Sequence, residues 1–229
     1  MTVEMLTLLG GVLLAACILT AALGKWLIPV LHRLKFGQTI REVGPAWHKN
    51  KQGTPTMGGI LFIFGSLAAA LAGTVLCRFL GIHLFSSSPA TLTRLLAGLL
   101  LAFCCGFIGF ADDYIKVVKK RNLGLTSLQK LFLQLLVAFG YALAVYLSGG
   151  TSIYVPFLNT VDLGIWYIPL CMFLVVGFVN ATNLTDGIDG LCASVTGVAS
   201  AAFLVAAALL GYYGQCIWAA ALLGSMIGF

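Results

Sequence analysis

Charge is what this sequence has least of. Asp, Glu, Lys and Arg make up 9% of its 229 residues, where a soluble domain carries about 25%. That scarcity excludes a water-solvated globule. Histidine is rare as well, with three in the chain, and no two of the seven cysteines (Cys17, Cys77, Cys104, Cys105, Cys171, Cys192, Cys216) form a Cys-x-x-Cys pair. This argues against a zinc site and against a disulfide framework, so the cysteines read as small buried hydrophobes in or beside apolar runs. The N-terminus lacks the basic flank of a secretory signal and has Glu4 instead, so its long apolar run reads as a retained helix. No repeat, low-complexity linker or composition shift divides the chain. Residues 1–229 therefore read as a single integral membrane domain.

Apolar residues fill the rest. They account for 60% of the sequence, and the mean hydropathy is +1.04. Crossing the ~30 Å hydrocarbon layer takes about 20 helical residues. Runs of that kind cover roughly 5–31, 57–80, 92–112, 127–148, 165–182 and 191–213. The expected fold class is an all-α polytopic membrane protein of about six full transmembrane helices. A seventh run begins near Gln215 and reaches Phe229 after about 15 residues, short of the ~20 a clean span needs. It is expected to be an incomplete helix, and the chain the N-terminal portion of a longer protein. Between Thr151 and Leu163, the apolar Ile153-Tyr154-Val155 followed by Asn159-Thr160 predicts a small outer hairpin.

With so few charges, their positions are informative. Arg33, Lys35, Arg41, Lys49 and Lys51 fall between the first two spans. Lys116, Lys119, Lys120 and Arg121 fall between the third and fourth, with Lys130 just inside the fourth. Those ten of thirteen basic residues put these two connections in the cytoplasm and the N-terminus outside. The net charge of +6 is thus read through topology and anionic ligands, with no nucleic-acid partner.

Four of the seven acids fall in two short motifs that emerge on that same face. Asp112-Asp113 follows an apolar span. Adjacent carboxylates repel each other and tend to persist where a cation compensates them. Oxygen donors without histidine or cysteine favour Mg²⁺ or Mn²⁺ over zinc. Lys116, one turn on, can neutralise a phosphate or the Asp pair itself. The second motif, Asn180–Gly190, lies between two apolar runs and holds Asp186 and Asp189. Ionisable groups at membrane depth cost at least ~2.5 kcal/mol near the bilayer centre and mark functional sites by default. Gly187 and Gly190 allow a tight turn. In a helix, the spacing of three would set Asn183, Asp186 and Asp189 on one face. The third constellation, residues 41–59, is dense in Gly, Pro and Thr. It reads as a shaped loop in which Lys51, Thr54 and Thr56 face an anion. Acids, a hard cation and lysines on one face suit phosphoryl transfer. The basic run from Val118 to Gly124 serves that chemistry or is only a topological anchor.

Gly-Thr-Pro-Thr-Met-Gly-Gly (53–59), Asp-Asp-Tyr-Ile-Lys (112–116) and Asn-Leu-Thr-Asp-Gly-Ile-Asp-Gly-Leu (183–191) resemble the phospho-N-acetylmuramoyl-pentapeptide transferase family, or translocase I. That family lies within the polyprenyl-phosphate N-acetylhexosamine-1-phosphate transferases, and the resemblance runs through the whole chain. It implies a multi-pass enzyme of the bacterial inner membrane with about ten transmembrane helices, often a homodimer, and an active site in a cytoplasmic cleft. The implied reaction transfers phospho-N-acetylmuramoyl-pentapeptide from UDP to undecaprenyl phosphate, giving lipid I and UMP in cell-wall synthesis. The implied cofactor is Mg²⁺, with Mn²⁺ as a substitute.

By resemblance, Asp112, Asp113 and Asp186 are the catalytic and metal-binding acids. Lys51, Thr56, Lys116, Lys120, Asn183, Gly187, Ile188 and Asp189 contact substrate. The family's later Phe-Met-Gly-Asp-x-Gly-Ser motif, which supplies a principal metal ligand, and its His-rich motif have no counterpart in residues 1–229. This stretch alone is therefore expected to be inactive. The competing readings are a sibling transferase using UDP-N-acetylglucosamine, an ion-coupled transporter and an intramembrane aspartyl protease. A transporter sets its acids near midplane and often in inverted repeats. A protease dyad needs no ten cations beside it.

Overall fold

The computed structural model describes residues 2–33, 57–82, 89–119, 124–155, 157 and 159–229. They form seven helices and one hairpin: α1 (Val3–Arg33), α2 (Gly59–Phe79), α3 (Pro89–Val118), α4 (Ser127–Leu147), β1 (Ser152–Val155), β2 (Asn159–Asp162), α5 (Tyr167–Thr185), α6 (Leu191–Leu209) and α7 (Tyr213–Gly228). Six of the helices are long and apolar enough to cross a membrane. The sequence expectation of a polytopic all-α protein holds. The helices fall into two compact units, Met1–Phe85 with Asp186–Phe229, and Ser86–Thr185.

In the first unit α1, α2, α6 and α7 share a core of Leu9, Val12 and Ala16, Ala69, Ala70 and Cys77, and Ile217, Ala220 and Ala221. Small residues dominate because helices in lipid gain little from apolar burial and associate by close backbone contact. On α7 a Cβ at Gly224 would run into the carbonyl oxygen of Leu13, and one at Gly228 into that of Cys17. The Gly224-x-x-x-Gly228 edge thus lies directly on the backbone of α1. The sixteen residues of α7 are short for a span, as expected. Yet Cys216, Ile217, Ala220 and Ala221 are fully buried, so the helix belongs to the core of its unit. Between α1 and α2, the missing side chain of Gly65 leaves room for Thr20 Oγ1, a buried hydroxyl with no hydrogen-bond partner among the described residues.

The second unit is continuous in sequence. Its α4 opens with a reciprocal cap: Gln129 N–H donates to Thr126 Oγ1 (3.2 Å) and Thr126 N–H to Gln129 Oε1 (3.0 Å), which satisfies two orphan donors of the first turn. At the other end Arg94 of α3 donates to the carbonyl (2.6 Å) and hydroxyl (3.0 Å) of Ser148. Its cation sits where the helix dipole is negative. Leu96, Leu100, Phe103 and Phe107 of α3 are each more than half exposed, as a lipid-facing surface requires.

The expected hairpin is present, antiparallel, with Ser152 opposite Asp162 and Val155 opposite Asn159. Asp162 closes its base, accepting from the Thr151 hydroxyl and from Gly164 N–H at 3.1 Å. Those donors, Thr151 first, hold its carboxyl below the usual carboxylate range. A depressed folded pKa stabilises above the unfolded value, and the contribution is lost as pH falls through the folded one. Hydrogen-exchange protection at Gly164, corrected for intrinsic rates, should therefore drop below pH of about 4. Asp162→Asn should make it flat with pH; an unchanged profile in that variant would exclude the clasp.

Two sequence expectations change. The third span does not end at 112: α3 runs on to Val118, so Asp112 and Asp113 lie inside the helix. Asp–Lys pairs at i,i+3 and i,i+4 explain the extension, because a helix needs no apolar residues where paired charges stack along it. The fifth span likewise does not end at 182: α5 runs on to Thr185, and residues 186–190 form turns and a bend. Asn183 is helical whereas Asp186 and Asp189 are not, so the three do not share one helical face. Of the two glycines, Gly190 takes the left-handed conformation, φ +76°.

Candidate functional site

The last turns of α3 carry an ionic cluster. Asp112 is 4% exposed, and every element around it supplies a donor. Lys116 Nζ lies 2.7 Å from Asp112 Oδ2, and Lys130 Nζ, one turn into α4, lies 2.7 Å from the same oxygen. Leu125 N–H, in the α3–α4 connection, donates to Asp112 Oδ1 at 2.8 Å. Lys116 also reaches Asp113 Oδ1 at 2.9 Å. Two carboxylates and two ammoniums thus cancel in charge.

A buried carboxylate is tolerated when its charge is matched and its lone pairs are filled, and Asp112 meets both conditions. The close approach of the connection depends on Gly124. A Cβ there would collide with Asp112 Oδ1, and would sit 2.5 Å from the Asp112 carbonyl oxygen and 2.8 Å from its Cγ. Of the two roles open to Lys116, the geometry gives neutralisation of the Asp pair.

A second polar contact crosses from α4 to α5. Asn180 Nδ2 donates to Gln134 Oε1 and to the Val176 carbonyl, both at 2.8 Å. Asn183 lies three residues on, exposed on the last turns of α5. The turn that follows exposes Asp186, Gly187, Ile188 and Asp189. It is tied to α6 by Leu191 N–H to the Ile188 carbonyl (3.1 Å) and Ser194 N–H to that of Gly190 (2.9 Å).

Among the described residues no three His, Cys, Asp or Glu side chains gather as a ready metal set. The donor chemistry nevertheless fits a hard cation. The Asp113 side chain is 35% exposed, and Asp186 is exposed on its turn. Asp112 already has its oxygens on two lysines and an amide. Asp113 in one unit and Asp186 in the other are thus the sequence-predicted acids that stay accessible to a cation.

Of the residues singled out in sequence, Lys51, Thr56 and Lys120 lie outside the described residues. Asp112, Asp113 and Lys116 come together. Sequence reasoning did not assign a site role to Lys130, Gly124, Gln134 or Asn180. A signal for Lys130 existed: a lone cation inside an apolar span is costly without a partner. For Gly124 and Gln134 there was none, since their roles depend on contacts distant in sequence.

Residues 95–229 match the family described as Glycosyl transferase family 4. Residues 51–63 match the phospho-N-acetylmuramoyl-pentapeptide-transferase signature 1. Curated relatives carry that transferase name. A protein of Heliobacterium modesticaldum is 46% identical over 212 residues, 90% of this chain and 61% of the relative. One of Halalkalibacterium halodurans is 42% identical over 219 residues, 95% and 64%. One of Clostridium perfringens is 40% identical over 213 residues, 93% and 62%. The chain thus spans a little over three fifths of the length of these relatives.

Proposed function

Because the chain belongs to glycosyl transferase family 4, we propose that it serves the transfer of phospho-N-acetylmuramoyl-pentapeptide from UDP to undecaprenyl phosphate, yielding lipid I and UMP. The observation that carries this reading is the signature at residues 51–63, a stretch that includes Lys51 and Thr56.

In this reading Asp112 keeps Lys116 and Lys130 charged and fixed beside the reaction. Mg²⁺, or Mn²⁺, when bound would supply charge stabilisation to the pyrophosphate and the leaving UMP, and Asp113 and Asp186 are each candidates to hold it. Lys51, Thr56 and Lys120 contact the pyrophosphate, with Lys116 at its edge. Asn183, Gly187, Ile188 and Asp189 receive the nucleotide. The protein works in the bacterial inner membrane with its site facing the cytoplasm, and pairs as a homodimer.

The test is isotope exchange between labelled UMP and UDP-N-acetylmuramoyl-pentapeptide, on the protein at its full natural length. Label entering that substrate supports the reading. Label entering only UDP-N-acetylglucosamine moves the protein to the sibling reaction, and label in neither overturns transfer. Orientation has its own check. Cysteines placed singly at Lys119 and Asn159 in a cysteine-free background should be labelled from opposite sides of the membrane, Lys119 from the cytoplasm. Labelling of both from one side would refute this map.

A further inference from the structure

We propose that Gln134 and Asn180 form a positioning brace. It fixes the α5 segment bearing Asn183 in register with the Lys130–Asp112 cluster of α3 and α4. The meaning of that register, though not its existence, rests on the transferase reading above.

The brace starts from a line of residues on α4. Lys130, Gln134, Ala138 and Ala142 recur every four residues, and Gln134, Ala138 and Ala142 are buried. Spacing of four keeps them on one face of the helix. Lys130 binds Asp112 from this line. One turn further, Gln134, 5% exposed, accepts from Asn180. One turn beyond Asn180 on α5 comes Asn183. Two successive polar contacts on one stripe of α4 therefore link α3 on one side and α5 on the other.

The chemistry suits register more than strength. Side-chain hydrogen bonds between membrane helices contribute little stability on average. An apolar pair would pack here equally well, while tolerating axial sliding and rotation. An amide pair tolerates neither, because a donor and an acceptor must meet at 2.8 Å. Asn180 is further restrained by its own backbone, since the same nitrogen donates to the Val176 carbonyl one turn earlier. Its rotamer is set before it reaches α4. Asn183 is exposed and, among the described residues, has no such side-chain hydrogen bond to define its height. Its axial position follows from the bond one turn away.

The test removes the acceptor while keeping the shape, with Gln134→Met, and independently removes the donor, with Asn180→Ala. Both are made in the protein at its full natural length, in lipid nanodiscs. Spin labels at Leu128 and Leu184, both exposed, report the spacing between the first turn of α4 and the last turn of α5. The parent should give one narrow distance. Each variant should broaden or shift it, and should raise KM for the UDP-sugar about tenfold while kcat stays within about threefold. The double variant should be no worse than either single one, as expected of partners in one contact.

An unchanged distance in both variants overturns the brace. A changed distance with unchanged KM overturns its role at the site. A higher KM with unchanged distance also overturns it, because Gln134 would then act on substrate directly. A parent without exchange activity would remove the transferase reading, and the spin-label distances alone would then decide the brace.

Discussion

Asp112→Asn is expected to lower the transfer rate by at least ~100-fold, the scale of losing a positioned charged group, and to destabilise the protein as well. The carboxylate is buried and shared by two ammoniums and an amide. Asparagine keeps the shape but withdraws the charge. Lys116 retains Asp113 as a partner. Lys130 has its ion pair with Asp112 alone among the described residues, so it is left with a charge unmatched in a largely apolar setting. Removing one partner of a buried pair costs ~3–5 kcal/mol. The Lys130 side chain is 26% exposed, and water takes up part of that cost, which points to the lower end of the range.

Adding Lys130→Gln should recover thermal stability without recovering turnover, a combination that separates the two roles. Asp113→Asn and Asp186→Asn alter a half-buried and an exposed carboxylate, and should lose comparable activity with a smaller change in melting temperature than Asp112→Asn. Exchange assays and melting in detergent measure both. Near-parent turnover for Asp112→Asn would refute the assignment.

Gly124→Ala is expected to be nearly as damaging, though alanine adds only a methyl group. That methyl would collide with Asp112 Oδ1, whose side chain is anchored by two lysines, and with the Asp112 carbonyl, which is part of α3. Neither can yield cheaply. Overpacking of this kind costs ~1–3 kcal/mol, and relief requires the connection to lift, which removes Leu125 N–H from the carboxylate. We expect at least a tenfold loss of exchange, about 1.4 kcal/mol of barrier, together with a lower melting temperature. Gly98→Ala is the control: among the described residues the added Cβ would meet only Tyr141, at 3.9 Å, and alanine favours helix. Equal behaviour of the two variants would show that Gly124 is not required for room.

The membrane class and the existence of each helix were legible because apolar runs of sufficient length have few other uses. The end of α3 was not. Hydropathy stops at the first acids, while the helix continues on Asp112–Lys116 and Asp113–Lys116 pairing. The end of α5 was set short in the same way: the apolar run stops near 182, while the helix continues through Asn183 to Thr185. At the site, scarce acids pointed to themselves. Their partners did not, because Lys130 meets Asp112 only where α4 packs back against α3. The bond between Gln134 and Asn180 likewise spans 46 residues and leaves no local trace.

The division of the chain into units sets an order of assembly. The Ser86–Thr185 unit is one uninterrupted stretch, and its three helices can find one another as soon as they leave the ribosome. The other unit is split around it. Because Gly224 and Gly228 lie on the carbonyls of Leu13 and Cys17, α1 has no α7 against it until the segment from Tyr213 has been made. At ~5–20 residues per second, that leaves α1 and α2 exposed to lipid, to insertion factors and to proteases for on the order of ten seconds. Within this unit α1 therefore waits for a partner it touches backbone to backbone until α7 has been made.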